Sequence, residues 1–484
     1  MNSEQAYLLE EAAAVIRRFP HRPVTIDSRN VVENGIFIAV SGVNFEGKEF
    51  IGDAVDRGAG VIVFSGKLTE RLPGVEYVEV SNTRKIVSYF YKELQHRPDE
   101  AMKLYTVTGT NGKTTSAFLI RSILAHAGIP CGLFSTVSYH DGVKELPSSR
   151  TTPDAVEFFD LLASMKKNGI QAVAMESSSH SLEQHRIDAA GISGAIFTNL
   201  TGDHLDYHKT MENYFAAKER LFTELLNSGG TAAINLDDPY GVKLAGILGG
   251  VDHVAGFGSS PDAAFRICDP AVKLDGVEFE LFHDGKSIHV ASPLAGSYNI
   301  HNLAGVLTLL WSEGIAPEIL ENAVSQPFQV PGRLEKVETV SPAAVFVDFA
   351  HTDDALRNVL STVKPFVKRK LLVVFGAGGD RDKTKRPRMG AAVAEYADEI
   401  IVTSDNPRSE NPEDIIADIA SGFPAGVCWQ KFIDRKAALE YAVANARAGD
   451  VVIVSGKGHE DYQEISGVKY PFDDRKILRE IGRK

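Results

Sequence analysis

The chain has 484 residues, too many for a single hydrophobic core, so we expect it to fold into two to four domains. Hydrophobic residues make up 44% and charged residues 24% of the sequence, which is ordinary for a globular protein, and the formal net charge is −13. So acidic a surface repels phosphate backbones, and we expect no nucleic-acid partner. The three cysteines are widely spaced, which argues against a disulfide framework and against a zinc site.

Residues 1–19 are acidic and then amphipathic, and they lack the basic start and the apolar run of a signal peptide. No apolar stretch reaches the length that crosses a membrane. The sparse use of cysteine fits a reducing compartment. We therefore expect a cytoplasmic protein without a membrane span, and we expect it to be a monomer.

The first hundred residues contain short β-branched runs and amphipathic segments between turn signals. Strands are predicted at residues 25–29, 35–40 and 60–64, and helices at residues 50–57 and 83–94. The polar segment 96–100 reads as a linker. This predicts a small N-terminal α/β domain, residues 1–98.

Residues 108–115 read Thr-Gly-Thr-Asn-Gly-Lys-Thr-Thr, after an apolar strand at 104–107 and before a helix that begins near Lys113. Glycines let a phosphate approach the backbone, and the first N–H groups of the helix point at it. Lys113 is expected to reach the β- and γ-phosphates of ATP, and the Thr114 hydroxyl to hold Mg²⁺. Val107 replaces the first glycine of the common loop, which leaves the shorter form GxxGKT. The predicted ATP-binding residues of this loop are Thr108, Gly109, Thr110, Asn111, Gly112, Lys113 and Thr114.

A short apolar run that ends in a polar loop recurs along the rest of the chain. The runs lie at residues 172–175, 195–198, 232–234, 345–347, 371–375, 400–403 and 451–454. Continuous apolar runs are typical of strands buried on both faces of a parallel sheet, where ligands bind beyond the carboxyl ends. With a join near residues 331–333, this predicts a doubly wound central domain with the phosphate loop, residues 99–333, and a Rossmann-like C-terminal domain, residues 334–484.

Glu176 and His204 are candidate Mg²⁺ ligands. Glu176 follows a buried strand directly, and a carboxylate beside phosphates suits magnesium, which takes hard oxygen ligands. The alternative is that Glu176 and the serines after it only cap a helix. His204 could hold a second Mg²⁺ or contact phosphate, whereas zinc would need a third ligand that the spacing does not supply. His208 is interpreted as structural.

Lys218 lies in an amphipathic helix predicted at residues 212–222, and the ordinary interpretation of such a lysine is a solvated side chain. In a dry metal site its pKa would fall, and the neutral amine could add CO₂. The resulting carbamate is an anion that can ligate Mg²⁺. Periodicity leaves both interpretations open.

Two arginines follow predicted strands of the last domain, Arg381 and the Arg408 of Asp405-Asn-Pro-Arg408. Arginine suits bidentate recognition of a carboxylate, and Glu460 could hold an ammonium group, so the set suits a zwitterionic amino acid. The alternative is a surface ion-pair network with a type I turn at the Asn-Pro dipeptide.

Three single residues are weaker candidates for ATP contacts. Asn302 and Asp348 could meet adenine and ribose, and Arg333 could meet the γ-phosphate. Each could equally be a cap or turn residue.

As an ordered set, these segments resemble the Mur ligases of peptidoglycan synthesis, from about Thr25 to Arg475. The segments are TGTNGKTT, a Met-Glu strand end before Ser-Ser-Ser-His, FTNL with DHLDYH, NxxN, PGR, DFAH, GGDRDK, DNPR and GKGHEDYQ. The resemblance implies that the three domains hold the UDP-sugar, ATP and the incoming amino acid in that order. It also implies that Lys113, Glu176, His204 and Lys218 are catalytic, and that the metal ligands are Thr114, Glu176, His204 and Lys218 as its carbamate.

The resemblance assigns further residues to the two other substrates. Those for the UDP-sugar are Ser28, Val43, Asn44, Phe45, Thr151, Thr152, Ser178, Gln184 and Arg186. Those for the amino acid are Arg381, Asp405, Asn406, Pro407, Arg408, Gly456 and Glu460. Arg150 stays outside the first set because relatives differ at that position.

The implied activity is ATP-dependent addition of meso-diaminopimelate to the D-Glu of UDP-N-acetylmuramoyl-L-Ala-D-Glu through an acyl phosphate. Arg408 favours diaminopimelate because it can pair with the second carboxylate, which lysine lacks. Alternatives within the class are ligases that add L-lysine or extend folate with glutamate. An alternative from another class is a non-catalytic ATP-dependent switch, which would bind nucleotide without releasing ADP in response to an amine.

Overall fold

The computed structural model describes residues 3–42, 46–249 and 253–481. Three predicted UDP-sugar residues, Val43, Asn44 and Phe45, lie outside these ranges. The chain divides into two compact units. Unit 1 contains residues 1–268, 281–288 and 301–323, and unit 2 contains residues 269–280, 289–300 and 324–484. The bounds of the three domains and the monomeric state stay predictions. Within the described ranges, no helix has the length and apolar content needed to cross a membrane.

Unit 1 begins with a small parallel sheet. Its strands in chain and spatial order are β1 (Val24–Thr25), β2 (Ile36–Ile38), β3 (Val61–Phe64) and β4 (Glu76–Glu79). The helices are α1 (Ser3–Arg18), α2 (Ile51–Asp56) and α3 (Thr83–Leu94). The strand predicted at residues 25–29 is wrong beyond Thr25. The Asp27 carboxylate accepts a hydrogen bond from Arg29 N and caps a 3₁₀ turn, Ser28–Asn30, so a local side-chain bond replaces sheet pairing.

The main sheet of unit 1 is built around the phosphate loop. Its strands are β5 (Lys103–Thr108), β6 (Cys131–Phe134), β7 (Ser138–His140), β8 (Glu145–Pro147), β9 (Ala172–Glu176), β10 (Ile192–Phe197), β11 (Leu226–Asn235) and β12 (Val254–Gly258). Six run parallel in the order β12-β11-β10-β5-β9-β6, and β7 and β8 add an antiparallel edge. After β5 the chain continues to β6 on one side, whereas after the adjacent β10 it continues to β11 on the other side. Such a reversal opens a crevice at the carboxyl ends of the two strands.

Among the described residues, six α-helices lie between these strands in the chain. They are α4 (Lys113–His126), α5 (Ala155–Lys167), α6 (Ser179–Glu183), α7 (Leu205–His208), α8 (Met211–Arg220) and α9 (Pro239–Ile247). Two of them, α4 and α8, were predicted. A π-helical turn, Leu221–Leu225, continues α8. The amphipathic helix predicted at residues 212–222 is therefore present as α8 with its π-helical turn, and it carries Lys218.

Three strands that were not predicted come after β12 in the chain, and the first of them pairs in parallel with β12. They are β13 (Phe265–Lys273), β14 (Gly276–His283) and β15 (Lys286–Ser292), and the helices α10 (Tyr298–Ser312) and α11 (Pro317–Ser325) come next. The boundary between the two units passes through each of these elements. In β13 the buried Phe265 and Ile267 alternate with partly exposed residues, which is typical of a strand with one solvated face. Such a strand has no continuous apolar run, whereas the strands predicted in this part of the chain were predicted from continuous apolar runs.

Unit 2 contains a second, largely parallel sheet. Its strands are β16 (Glu335–Lys336), β17 (Ala344–Asp348), β18 (Leu371–Phe375), β19 (Glu399–Thr403), β20 (Trp429–Phe432) and β21 (Val451–Ser455), beside a hairpin of β22 (Tyr462–Ile465) and β23 (Val468–Pro471). The helices are α12 (Asp353–Val363), α13 (Lys385–Ala394), α14 (Pro412–Ala420), α15 (Arg435–Asn445) and α16 (Asp474–Glu480). The spatial order is β16-β17-β21-β18-β19-β20, and only the pairing of β16 with β17 is antiparallel.

The central strands of this sheet are buried on both faces. Along β18, Val373 and Phe375 belong to one hydrophobic cluster and Leu372 and Val374 to another. Such two-sided burial explains why β18 reads as a continuous apolar run. The predicted α/β fold class is confirmed, with parallel strands whose carboxyl ends meet at one edge.

A buried ion pair ties two helices of unit 2 to that edge. The Arg435 guanidinium donates to both carboxylate oxygens of Asp474, at 2.9 and 2.7 Å, and neither side chain is exposed. It also donates to the Ser455 carbonyl at 3.0 Å, and so links α15 and α16 to the end of β21. A buried charge that loses its partner is costly, so the pair is a constraint on the fold.

We predict that Arg435→Met destabilises unit 2 by about 3–5 kcal/mol, because the Asp474 carboxylate would remain buried without its partner. The matched control is Lys436→Met, which removes an exposed cation 4.0 Å from Glu440 on the same helix and should cost about 0–1 kcal/mol. Hydrogen exchange of the β19 and β21 amides measures both changes. Equal protection in the two variants would contradict the prediction.

Candidate active site

The phosphate loop lies at the carboxyl end of β5, as predicted. Val107 pairs in register with Glu176 of β9, and Thr108 pairs with Phe197 of β10. The loop has positive φ at Gly109 (149°) and at Gly112 (87°), and α4 begins at Lys113. The N-terminus of α4 therefore follows the loop directly, which suits an anion.

Neighbouring residues hold the loop tightly. A Cβ at Gly112 would overlap the Asn302 Oδ1, and a Cβ at Gly109 would overlap the Thr198 hydroxyl. The Asn199 side chain accepts from Asn111 N at 3.0 Å. Asn302, considered from sequence as an adenine contact, thus lies against the phosphate loop.

Two lysines converge on the loop. Lys113 Nζ and Lys218 Nζ donate to the Gly109 carbonyl at 2.9 and 2.8 Å. Lys218 is only 1% exposed, so the solvated interpretation of this residue does not describe the structure. Burial, and secondarily the positive charge of Lys113, hold the pKa of Lys218 well below its usual value. This environment therefore favours the neutral form of the amine beside the phosphate loop.

Glu176 is a buried carboxylate at the same edge, with 1% exposure. It accepts from Thr136 N at 2.7 Å and from the Thr136 hydroxyl at 3.3 Å. The helix cap is instead Ser178, which accepts from Ser181 N, so capping does not account for Glu176. Sequence reasoning missed Thr136, because the short strand β6 that positions it was not among the predicted strands.

Five of the predicted UDP-sugar residues belong to one hydrogen-bonded network with Glu176. The Thr152 hydroxyl donates to the Glu176 carbonyl at 2.8 Å and accepts from Ser178 N. Arg186 donates to the Thr152 carbonyl at 3.0 Å and to the Gln184 side chain at 2.7 Å. Thr151 accepts from the Thr136 hydroxyl at 3.1 Å.

A cavity of about 200 Å³ opens beside this network. Gln184 and Arg186 line it, together with two arginines outside the predicted set, Arg84 and Arg150. Ser28 is buried in its 3₁₀ turn, and Ile26, two residues earlier, reaches the cavity wall. Three guanidinium groups and one carboxylate, that of Asp154, give the cavity lining a net positive charge, which suits an anionic ligand.

The histidines near the loop differ in environment. The His204 side chain is exposed, and its ring lies 5.0 Å from that of His180. His208 is buried and shares a 2.9 Å hydrogen bond with the Ser179 hydroxyl, and burial lowers its pKa to about 4. These contacts support the structural interpretation of His208.

The predicted metal ligands are hydroxyl, carboxylate, imidazole and amine groups on four different segments. Among the residues that the structure describes, no group of three or more His, Cys, Asp or Glu side chains could hold a metal ion. A lone buried carboxylate beside a phosphate loop fits Mg²⁺, which is commonly held by one or two protein carboxylates together with substrate phosphates.

In unit 2, Arg333 and Asp348 lie close together. The Asp348 carboxylate accepts from Leu334 N and Ala350 N, both at 2.7 Å, and burial raises its pKa. The Arg333 guanidinium lies over the Phe349 ring, 4.8 Å from its centroid. A Cβ at Gly332 would overlap His459 N, so this segment packs on the Gly456–Glu460 loop.

The predicted amino-acid residues meet at the edge of the second sheet. Asn406 Nδ2 donates to Glu460 at 2.8 Å, and a Cβ at Gly456 would lie 2.5 Å from the Asp405 carboxylate. A Cβ at Gly378 would approach both Arg408 Nη1, at 3.0 Å, and Arg381 Cγ, at 3.8 Å. The two arginines therefore flank one glycine.

Sequence reasoning missed two charged residues here. Lys457, with 0% exposure, donates to Glu460 at 3.0 Å and to Asn406 Oδ1 at 3.2 Å. Glu464 of β22 lies 3.3 Å from Arg408 Nε. The lysine lies inside a motif already singled out, whereas nothing in the sequence indicated that the hairpin returns to Arg408.

Comparisons with known proteins agree with this arrangement. The family description "Mur ligase middle domain" matches residues 107–310, and "Mur ligase, glutamate ligase domain" matches residues 332–458. A UDP-N-acetylmuramoyl-L-alanyl-D-glutamate–2,6-diaminopimelate ligase of Aquifex aeolicus is 40% identical over 458 residues, which cover 95% of this chain and 93% of that relative. The chain belongs to the Mur ligase family.

Solved structures of Mur ligases are also similar. One, of a UDP-N-acetylmuramoyl-L-alanyl-D-glutamate–2,6-diaminopimelate ligase, has a TM-score of 0.69 and 34% identity, and the match covers 95% of this chain and 94% of that one. MurF from Acinetobacter baumannii, at 16% identity and a TM-score of 0.63, shares the fold over 93% of this chain and 94% of its own. The resemblance inferred from the motifs is thereby confirmed.

We predict that Gly112→Ala weakens ATP binding at least about tenfold, equivalent to about 1.4 kcal/mol, because the new methyl group would collide with Asn302. The control is Gly128→Ala after the end of α4, which has a similar positive φ of 75° but no atom within 4 Å of its Cβ. Titration calorimetry compares the two variants with the wild type. The same loss of affinity in both would show that strain, and not the collision, is responsible.

Proposed function

We propose that this Mur ligase adds meso-diaminopimelate to the D-glutamyl residue of UDP-N-acetylmuramoyl-L-Ala-D-Glu, in an ATP-dependent step of peptidoglycan synthesis in the cytoplasm. The observation that carries the proposal is the nearly full-length similarity, at 38–40% identity, to relatives named as ligases of this reaction. The guanidinium of Arg408, which can pair with a second carboxylate, supports diaminopimelate over lysine.

The reaction has two chemical steps. A D-glutamyl γ-carboxylate oxygen attacks the γ-phosphorus of ATP, and the bond to the ADP oxygen breaks, which yields an acyl phosphate. The amine of diaminopimelate then attacks the acyl carbon, the bond to phosphate breaks, and the nitrogen loses a proton. Phosphorylation is needed because a carboxylate is a poor electrophile at neutral pH.

The first step brings two anions together, so positive charge must be concentrated where they meet. Lys113, at the start of α4, would reach the β- and γ-phosphates once ATP occupies the loop. Thr114 and Glu176 would hold one Mg²⁺, and His204 with carbamylated Lys218 a second. Bound Mg²⁺ would neutralise phosphate charge as a Lewis acid.

The buried environment of the Lys218 amine supports its carbamylation. The nitrogen must be neutral to form a bond to CO₂, with loss of one proton. Burial beside Lys113 favours the neutral amine. The carbamate would also place an anion next to the Lys113 cation, and opposite charges attract each other.

The substrates are assigned to the three proposed domains, 1–98, 99–333 and 334–484. The UDP-sugar residues of the Thr152–Arg186 network border the basic cavity, which suits a nucleotide diphosphate. The second unit offers Arg381 and Arg408 for carboxylates, and Glu460 for an ammonium group.

The proposal is tested by phosphate release from ATP with UDP-N-acetylmuramoyl-L-Ala-D-Glu and a panel of amino acids. We expect release that depends on meso-diaminopimelate, at a kcat/KM at least about tenfold above that with L-lysine, since one carboxylate–arginine pair distinguishes them. Preference for L-lysine would overturn the choice of amino acid. Nucleotide binding without amine-dependent release would indicate a non-catalytic switch.

We predict that Lys218→Ala lowers kcat about a hundredfold or more, because the variant cannot form the carbamate that would hold the second Mg²⁺. Added short carboxylic acids should restore part of the activity by occupying the vacated space. The control is Lys166→Ala, which alters an exposed lysine of α5. Carbon NMR with isotope-labelled bicarbonate should show a carbamate signal in the wild type and in the control but not in Lys218→Ala. Full activity of Lys218→Ala would remove this residue from the mechanism.

A further inference from the structure

Two loops at the edge of the second sheet are layered on each other. The first, residues 376–382, follows β18, and the second, residues 404–410, follows β19. Gly379 N donates to the Asn406 carbonyl at 2.9 Å, and Arg408 Nη1 donates to the Gly379 carbonyl at 2.6 Å. A Cβ at Gly379 would overlap the Pro407 carbonyl, so the backbones touch directly.

Side chains lock the two loops at their outer ends. The Asp380 carboxylate accepts from the Ser409 hydroxyl at 2.6 Å and from Ser409 N at 3.2 Å. Asp380 N donates to Glu410 at 2.6 Å. Both Asp380 (φ 53°) and Arg408 (φ 52°) have left-handed backbones, which cost about 1 kcal/mol or more for such residues and persist only where contacts impose them.

Arg386 donates hydrogen bonds to both loops. It is 1% exposed, and its two terminal nitrogens donate to the two Glu410 oxygens at 3.0 and 2.8 Å. The same guanidinium reaches the Gly378 carbonyl of the first loop at 3.3 Å and Asp418 of α14 at 2.9 Å. Its hydrogen bonds are the main reason that the pKa of Glu410 falls to about 2.

We infer that Arg386 and Glu410 are a positioning pair that holds the 376–382 and 404–410 loops together and thereby sets the spacing of Arg381 and Arg408 toward the incoming amino acid. The inference rests on the proposed function, because that function assigns the two arginines to this substrate. Neither member of the pair need touch it. Glu410 belongs to the second loop and accepts a hydrogen bond from Asp380 N of the first loop. Arg386 donates hydrogen bonds to both loops, at Glu410 and at the Gly378 carbonyl.

The pair should matter most for an amino acid with a second carboxylate. A single carboxylate and an ammonium group can be held by one loop together with Glu460. A distal carboxylate needs a guanidinium at a fixed distance from the first site, and small displacements weaken bidentate pairing strongly. Loss of the pair should therefore reduce binding of diaminopimelate more than turnover, and more than recognition of the other substrates.

The test is Glu410→Gln, which keeps the shape of the side chain and removes its charge. We expect the KM for meso-diaminopimelate to rise about tenfold or more, with kcat and the KM values for ATP and the UDP-sugar within about twofold of the wild type. The preference for meso-diaminopimelate over L-lysine should fall in parallel. Arg408→Ala marks the effect expected when the proposed carboxylate contact itself is lost.

The matched control is Asp418→Asn, which removes charge from the other carboxylate partner of Arg386 without touching either loop. Its KM values should stay within about twofold of the wild type. Arg386→Lys, which cannot bridge both Glu410 oxygens, should reproduce the Glu410→Gln pattern. Thermal denaturation of every variant identifies any loss of folded protein, and kinetic constants are normalised to the folded fraction.

An unchanged KM for meso-diaminopimelate in Glu410→Gln would overturn the inference, as would an equal rise in the KM values of all three substrates. Failure of the proposed function has a different signature. In that case the wild type itself would release no phosphate in response to meso-diaminopimelate, before any variant is compared.

Discussion

Parallel pairing is the constraint on which the rest of this molecule depends. In the first sheet β9, β5 and β10 run in the same direction, as do β17, β21 and β18 in the second, so these strands end at one edge of their sheet and deliver the residues that follow them to one place. Val107 lies beside Glu176 in the first sheet, and Asp348 lies beside Ser455 in the second. Residues far apart in sequence therefore meet without a long loop to carry them, and their positions are as rigid as the sheets.

Because these positions are fixed, charged side chains can be held in places from which water is excluded. Lys218 is held in a dry environment against the Gly109 carbonyl, and Arg435 is held with Asp474 at the edge of the second sheet. The two buried cations have opposite fates. Arg435 keeps its charge because a carboxylate compensates for the loss of water, whereas Lys218 lies near another cation and loses its charge more readily. The two buried side chains thus differ in whether a carboxylate compensates for the loss of water.

Much of this arrangement could be predicted from the sequence. The strand before the phosphate loop, the helix from Lys113 and the polar ends of β9, β18, β19 and β21 all followed from apolar runs and turn residues. Some elements were not predicted: Asp27 diverts its segment into a 3₁₀ turn, and the half-solvated β13 has no continuous apolar run. The strands β6, β7, β8, β12 and β20 were also not among the predicted ones. The burial of Lys218, the support of Glu410 by Arg386 and the approach of Glu464 to Arg408 depend on tertiary packing, which periodicity does not record.

The pairing of Arg408 with Glu464 affects which anions this surface can capture. Arg408 already has a counter-ion, the Glu464 carboxylate at 3.3 Å, so it should bind free small anions weakly. Each such anion would have to displace a carboxylate that is tethered to the same chain and therefore has a high effective concentration. Inorganic phosphate or a simple dicarboxylate gains little from such an exchange. A ligand that is already bound at a second point competes better with Glu464, because its own carboxylate is then tethered near Arg408 as well. The β22–β23 hairpin would then act as a filter that favours ligands with two points of attachment over free ions.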